Sequence, residues 1–112
     1  LEISVGNIAP LVDPVENVTL LVDIPSTVAV TFSDPGWLDT HQVDVDWGDG
    51  DTDTLNLLAG VLTVDLNHTY LTPGVYTVVV EVQDDDGGQG IRVFTARVLL
   101  DYFRVQMPLI VK

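Results

Sequence analysis

Carboxylates are the side chains with which this chain could do chemistry, because 17 of its residues are acidic and none is cysteine. Only Glu2, Glu16 and Glu81 are glutamate, and the remaining acids are aspartate. Aspartate concentrates in turns and is also a ligand for hard cations. The acidic residues therefore raise two kinds of chemistry, which are acid–base catalysis by a carboxylate pair and cation binding.

The residues that could form a catalytic site match known catalytic arrangements poorly. Asp46 and Asp49 resemble the carboxylate pair of a glycosidase, but no aromatic platform or set of oxyanion donors accompanies them. Ser33, His41 and His68 supply the residue types of a Ser-His-Asp triad, yet no nucleophile elbow surrounds the serine. The sequence therefore predicts that the chain is not an enzyme.

Two cation-binding motifs also fail. An EF-hand loop starting at Asp49 has acids at its first, third and fifth positions, but Thr54 and Gly60 stand where glycine and glutamate are required. The Gly87–Gly90 stretch begins like a calcium β-roll repeat, but it occurs once and Arg92 replaces the aspartate. Any calcium site must therefore be built from separate segments.

Charge and hydropathy narrow the choice of partners. The net charge is −13, and no basic residue precedes Arg92. Such a surface repels phosphates and anionic lipid headgroups, so neither nucleic acid nor a lipid surface is an expected partner. No apolar run approaches the roughly 18 residues needed to span a bilayer, so membrane insertion is not expected. Because the chain begins with Leu1 and lacks a basic leader, we expect a processed or excised piece of a longer protein.

The elements that must position these residues are strands. Val43, Val45 and Trp47 alternate with aspartates, which is the period-2 pattern of a strand with one buried face, and Gly48-Asp49-Gly50 ends it with a tight turn. About seven such strands, separated by turn signals every 8–12 residues, are typical of a two-sheet antiparallel β-sandwich. The fold class is therefore predicted to be all-β.

Three parts of the chain differ in composition. Residues 1–8 are predicted to form an N-terminal linker, and residues 9–100 the sandwich. Residues 101–112 are rich in apolar side chains interrupted by Pro108, and we expect either a partly ordered extension of the last strand or a segment that packs on a neighbouring domain.

Four segments together resemble one domain family. They are Val45–Gly50, His68–Tyr70, Pro73–Val78 and Asp84–Gly87, and they occur in the order and spacing of the polycystic-kidney-disease (PKD) domain of prokaryotic extracellular proteins. The resemblance covers residues 9–100 and implies an Ig-like sandwich, in agreement with the periodicity. The tryptophan stands one pleat repeat from its usual place in this family, on the same face of its strand.

The resemblance gives structural roles to the motif residues. Trp47 is expected to fill the core, with His68 and Tyr70 beneath the turn that follows it. Tyr76 is expected to form a tyrosine corner, a phenol bonded to nearby backbone. The full set of motif residues is Trp47, Asp49, Gly50, His68, Tyr70, Gly74 and Tyr76.

The resemblance also implies one calcium site, between the N-terminal linker and the loop after an early strand. Asn7 and Asp34 fall at the matching places. Pro35-Gly36 replaces the acid-glycine pair that usually follows, and Asp39 is the residue that could substitute. Two interpretations stay open, a calcium (Ca²⁺) site and a plain Asp-Pro-Gly turn.

The expected function is that of a non-catalytic extracellular spacer or interaction module in a larger secreted or cell-surface protein. Its partners would be neighbouring domains and an extracellular protein or polysaccharide. The alternative is a carbohydrate- or protein-binding accessory domain of a secreted hydrolase. That alternative depends on Trp37, which is either a ligand platform or a loop anchor.

Overall fold

The computed structural model describes residues 9–35 and 39–100. Asn7, Trp37, the linker of residues 1–8 and the apolar extension of residues 101–112 lie outside the described residues, so the predictions made for them stay predictions. Within the described ranges the regular structure is entirely strand, and none of it is a helix that could cross a membrane.

Eight strands follow one another along the described chain. They are β1 (Leu11–Val12), β2 (Val18–Leu21), β3 (Ser26–Ser33), β4 (His41–Asp46), β5 (Thr52–Leu57), β6 (Thr63–His68), β7 (Gly74–Asp84) and β8 (Gln89–Leu99). They form a three-stranded sheet in the order β1-β3-β6 and a five-stranded sheet in the order β2-β8-β7-β4-β5. The predicted two-sheet sandwich is confirmed.

One strand pair departs from the antiparallel expectation, because β2 runs parallel to β8, with Val18 beside Ala96. The backbone N–H of Asp13 donates to the carbonyl of Thr31 and continues the β1–β3 register by one residue in the small sheet. Beyond Asp13 the chain crosses to the large sheet, where β2 lies beside β8.

Side chains from both sheets meet in one core. Trp47 is its largest member at 1% exposure, and the alternating Val78, Val80 and Val82 of β7 are fully buried. A tryptophan buries roughly 200 Å², which stabilises the fold by about 5 kcal/mol relative to an exposed ring. The remaining core residues are Val12, Val28, Val30, Phe32, Val43, Val45, Leu66, Tyr70, Phe94, Ala96 and Val98.

Strand registers define two poles of the sandwich. At the entry pole β1 begins beside Ser33, and His41 lies opposite Asp84. At the exit pole β8 ends, with Leu99 beside Leu21. The described chain therefore enters at one end of the sandwich and leaves at the other.

Gly48 closes the turn after Trp47 at the exit pole. Its φ of +83° is in the left-handed region, and a Cβ added there would lie 2.5 Å from the carbonyl oxygen of Thr77. Gly50 also has a positive φ, +101°, but a Cβ there would meet nothing within 4 Å. Gly48 is thus required both for its conformation and for the close approach of β7.

We predict that Gly48→Ala lowers the free energy of unfolding by about 3 kcal/mol, because backbone strain and a clash with β7 combine. Gly50→Ala, the matched control, meets the strain alone and should cost about 1 kcal/mol. Urea unfolding followed by circular dichroism measures both. Equal losses for the two variants would contradict the close packing of Gly48 against β7.

Candidate functional site

The entry pole gathers acidic residues from three segments. Asp34 follows β3, Asp39 precedes β4, and Asp84 ends β7. One carboxylate oxygen from each of these residues lies within 4.8 Å of the others. Asp39 forms a second such group with Asp85 and Asp86 in the β7–β8 turn. Segments distant in sequence thus converge on one small acidic volume.

A buried contact between a histidine and an aspartate supports one side of this group. Nε2 of His41 lies 2.6 Å from Oδ2 of Asp34, and the side chains are 0% and 1% exposed. The imidazole also packs edge-on against Phe32, with 4.8 Å between the ring centroids. His41 therefore holds the Asp34 carboxylate in a fixed orientation at the surface of the core.

The two carboxylate oxygens of Asp84 lie in different environments. Its Oδ1 accepts hydrogen bonds from the backbone N–H groups of Asp86, at 3.0 Å, and Gly88, at 2.7 Å. Its Oδ2 is buried, in a residue that is 7% exposed, and has no hydrogen-bond partner among residues 9–35 and 39–100. A buried carboxylate oxygen without a partner is costly, so this atom is suited to accept a cation.

Electrostatic repulsion is evident at Asp39. Burial raises the pKa of its carboxyl group above the ordinary value, and the negative charges of Asp85, Asp86, Asp34 and Asp84 raise it further. A raised carboxyl pKa means that the folded state favours the neutral form of Asp39 over the charged form. The stabilisation of the fold that comes from the neutral carboxyl is therefore complete at acid pH and is lost as the pH rises through the Asp39 pKa.

The exit pole holds the second histidine. The imidazole of His68 stacks on Trp47, with 4.6 Å between centroids and planes 5° apart. Its Nε2 lies 2.8 Å from Oδ2 of Asp49, whose Oδ1 accepts from the backbone N–H of Asp51. Burial alone would raise the pKa of Asp49, but these hydrogen bonds outweigh it and lower the pKa. The contact therefore stabilises the fold above pH 3.8 and is lost on acidification.

Two tyrosines tie the exit pole together. The hydroxyl of Tyr70 donates to the carbonyl of Trp47 at 2.8 Å, and the hydroxyl of Tyr76 donates to the carbonyl of Thr72 at 2.8 Å. Burial, followed by the charges of Asp49 and Tyr76, raises the pKa of Tyr70 to about 12. The Tyr70 phenol therefore remains a donor throughout the physiological range.

Asp46 and Asp49, the carboxylate pair considered for glycosidase chemistry, take part in turn formation. Asp46 Oδ1 accepts from the backbone N–H of Gly48 at 3.0 Å, and Asp49 caps the next turn and binds His68. Both histidines pair with a carboxylate, and His41 is 3% exposed. The two aspartates and the two histidines therefore stabilise turns and neighbouring side chains at the two poles.

The structure brings together two of the three predicted calcium ligands, Asp34 and Asp39, whereas Asn7 lies outside the described residues. Asp84 was not among the predicted ligands. The run of aspartates at positions 84–86 was a signal, but the sequence indicated only a turn there. Its proximity to Asp34 depends on how the two sheets face each other, which no local pattern encodes.

Solved structures with this fold include PKD domains. The PKD domain of an M14-like peptidase from a Thermoplasmatales archaeon is 20% identical, with a TM-score of 0.66 over 83% of this chain and 98% of that chain. The PKD domain of the human VPS10 domain-containing receptor SorCS2 is 20% identical, with a TM-score of 0.52 over 90% and 83% of the two chains.

A third similar structure is described as carbohydrate-binding modules of the β-sandwich superfamily. It is 23% identical, with a TM-score of 0.58, and the match covers 86% of this chain but 36% of that one. At such identities these likenesses establish the fold alone. No significant sequence match is found among curated proteins.

The sequence model of the PKD domain matches residues 7–98, which is most of the chain. The match includes the Trp47 turn, His68–Tyr70 and the strand that contains Tyr76, the segments on which the resemblance was based. The recognition made from the sequence is thereby confirmed. This chain belongs to the PKD domain family.

Proposed function

We propose that this chain is a non-catalytic spacer and interaction module of a larger secreted or cell-surface protein. The observation that carries the proposal is the placement of the two poles. Residues 9 and 10 precede β1 at the entry pole, and Leu100 follows β8 at the exit pole. Domains joined at these points are held apart by the length of the sandwich.

The body between the poles is suited to transmit this separation. β7 and β8 each contain 11 residues and pair antiparallel along almost their whole length. At about 3.3 Å per residue, each strand spans about 36 Å. A fully packed two-sheet core resists bending, so the separation is fixed by tertiary structure rather than by a flexible linker.

The charge of the chain and its similarity to a solved PKD domain also favour the role of a spacer and interaction module. The negative charge lies in the sandwich itself, since Glu2 and Asp101 are the only acids outside the described ranges. High net charge keeps a surface soluble and limits non-specific association. A similar PKD domain belongs to an M14-like peptidase, which favours an accessory role beside other domains.

The absence of cysteine allows a direct test of the spacer geometry. We predict that spin labels on Ala9→Cys and Leu100→Cys lie about 30–40 Å apart, from the length of β7 and β8. Double electron–electron resonance measures this distance and its spread. A single narrow distribution supports the proposal, whereas a distance below about 20 Å, or a broad distribution, would refute it.

Carbohydrate binding, the alternative, receives less support from the described surface. The exposed large apolar residues there are all leucine, isoleucine or valine. Of the described aromatic residues, Tyr76 is only half buried, but its hydroxyl bonds to the Thr72 carbonyl and its ring stacks on Tyr70. An aromatic platform for sugar rings would therefore depend on Trp37.

We also propose that the entry pole binds calcium. Three carboxylates from Asp34, Asp39 and Asp84 offer oxygen ligands in a volume that one cation could fill, and calcium needs six to eight oxygens. The buried Oδ2 of Asp84, which has no hydrogen-bond partner in the described part of the chain, supports this choice. The amide oxygen of Asn7, backbone carbonyls and water would complete the set. Bound calcium would neutralise the repulsion at Asp39 and join the linker to the sandwich.

We predict that millimolar calcium raises the thermal midpoint by several degrees over the midpoint in EDTA, through ligand linkage. Asp84→Asn should abolish this increase, because asparagine retains an Oδ1 acceptor for the turn but loses the charge. Asp51→Asn, at the exit pole, is the matched control and should respond like the wild type. Circular dichroism measures each midpoint. A wild-type midpoint that calcium leaves unchanged would contradict the proposed calcium site.

Asp39→Asn provides a control on the electrostatics. In EDTA at neutral pH this variant should melt above the wild type, because one repelling charge is gone. The advantage should disappear as the pH falls through the Asp39 pKa, since the wild-type carboxyl is then also neutral. A variant less stable than the wild type in EDTA would show that the acidic group is not repulsive.

A further inference from the structure

The outer edge of β5 is an unpaired strand edge. β5 (Thr52–Leu57) is the last strand of the five-stranded sheet, and β4 is its neighbour on one side. No backbone partner lies on its other side among residues 9–35 and 39–100. A six-residue edge without proline or lysine lacks two common devices that block strand addition.

The register shows which backbone groups face this edge. The N–H of Trp47 donates to the carbonyl of Asp51, a pair that continues the β4–β5 register. Because hydrogen-bonding direction alternates along an antiparallel strand, Asp53 and the other odd residues of β5 point their backbone groups toward β4. The N–H and C=O groups of Thr52, Thr54 and Asn56 therefore point outward, where an added strand could bond to them.

A groove lies beside this edge, between β5 and β6. It has a volume of about 170 Å³, and its lining includes Asp53, Leu55 and Asp65. Asp53 is on the inner face of β5, where its Oδ2 accepts the indole N–H of Trp47 at 2.8 Å. Leu55 and Leu57 lie on the same inner face and are half buried. An added strand would therefore place its inward side chains against two leucines and one carboxylate.

The negative charge of Asp53 determines which kind of strand can pair with this edge. An inward charge on an edge strand disfavours pairing with a neutral or acidic strand, because that charge would lose water without gaining a partner. A lysine or arginine opposite Asp53 removes this cost. The protein itself is a poor candidate, since β5–β5 pairing would bring Asp51 and Asp53 of two chains, each carrying a charge of −13, together.

We propose that β5 is a docking edge that accepts an extended segment of a partner protein as an additional antiparallel strand. The segment carries apolar side chains facing Leu57 and Leu55, followed by a lysine or arginine facing Asp53. Backbone hydrogen bonds to Thr52, Thr54 and Asn56 provide affinity, and the groove provides selectivity. This interaction is independent of the calcium site, which lies at the entry pole.

The probe is the capped peptide Thr-Val-Thr-Val-Thr-Lys-Thr, whose valines and lysine share one face of an extended strand. Its matched control has glutamate in place of lysine. We expect a dissociation constant below about 1 mM for the lysine peptide and binding at least about tenfold weaker for the glutamate peptide. Amide chemical shifts and hydrogen exchange of the 112-residue chain report the affinity and the position of binding.

Protection should appear at the amides that face outward. Thr52, Thr54 and Asn56 should exchange more slowly when the lysine peptide is bound, because their N–H groups become hydrogen-bonded. Absence of binding at millimolar peptide, or protection elsewhere on the chain, would overturn the proposal. This readout uses the unmodified protein and does not depend on any variant.

Variants of β5 distinguish the contribution of backbone hydrogen bonds to peptide binding from the contribution of the Asp53 charge. Thr54→Pro removes an outward N–H that β4 does not use, and it should weaken binding at least about tenfold, whereas Thr54→Val should stay within about threefold. Asp53→Asn should bind both peptides within about threefold of each other, because its amide oxygen still accepts from Trp47 but the charge is gone. Thermal midpoints establish that each variant is folded.

Two results would count against this partner. Unchanged affinity in a folded Thr54→Pro variant would show that the backbone edge is not used. Sedimentation that shows a dimer of the wild type, but a monomer of Thr54→Pro, would assign the edge to a second copy of the chain instead.

Discussion

The environment of Trp47 is the constraint on which the rest of the structure depends. His68 stacks on its ring, Tyr70 donates to its carbonyl, and Asp53 accepts its indole N–H, so β5, β6 and the segment that follows β6 converge on one residue. A tryptophan can be buried at low cost only if its N–H has a partner, and here an edge strand supplies that partner. Burial of the indole therefore fixes the separation of the sheets and the position of β5 together.

The two poles use similar residues with different results. Each has a histidine beside an aspartate, at 2.6 Å for His41 and 2.8 Å for His68. At the exit pole, hydrogen bonds lower the pKa of Asp49 and the polar groups satisfy one another. At the entry pole, Asp39 is repelled by its neighbours, and Asp84 has a buried oxygen that no described residue bonds. This difference is the reason why the proposed calcium site is placed at the entry pole.

Period-2 alternation and turn signals were sufficient to predict most strands, because strands such as β3 and β4 each have one buried face. The alternation of Val43, Val45 and Trp47 with aspartates predicted one buried face, and all three side chains are buried. The parallel pairing of β2 could not be predicted, since it follows from a crossing between sheets rather than from local preference. Asp84 illustrates the same limit, because its approach to Asp34 joins residues 50 positions apart through the stacking of two sheets. The open edge of β5 likewise follows from strand order, which neighbouring residues do not encode.

The buried Trp47 ties both sheets into one cooperative unit, and exchange of its indole proton tests this most directly. The Nε1–H is hydrogen-bonded to Asp53 and the residue is 1% exposed. We predict that this proton exchanges only through global unfolding, so its exchange free energy equals that of unfolding and falls with denaturant at the same slope. Rapid exchange that does not depend on denaturant would show local opening at the exit pole and would contradict a single cooperative unit.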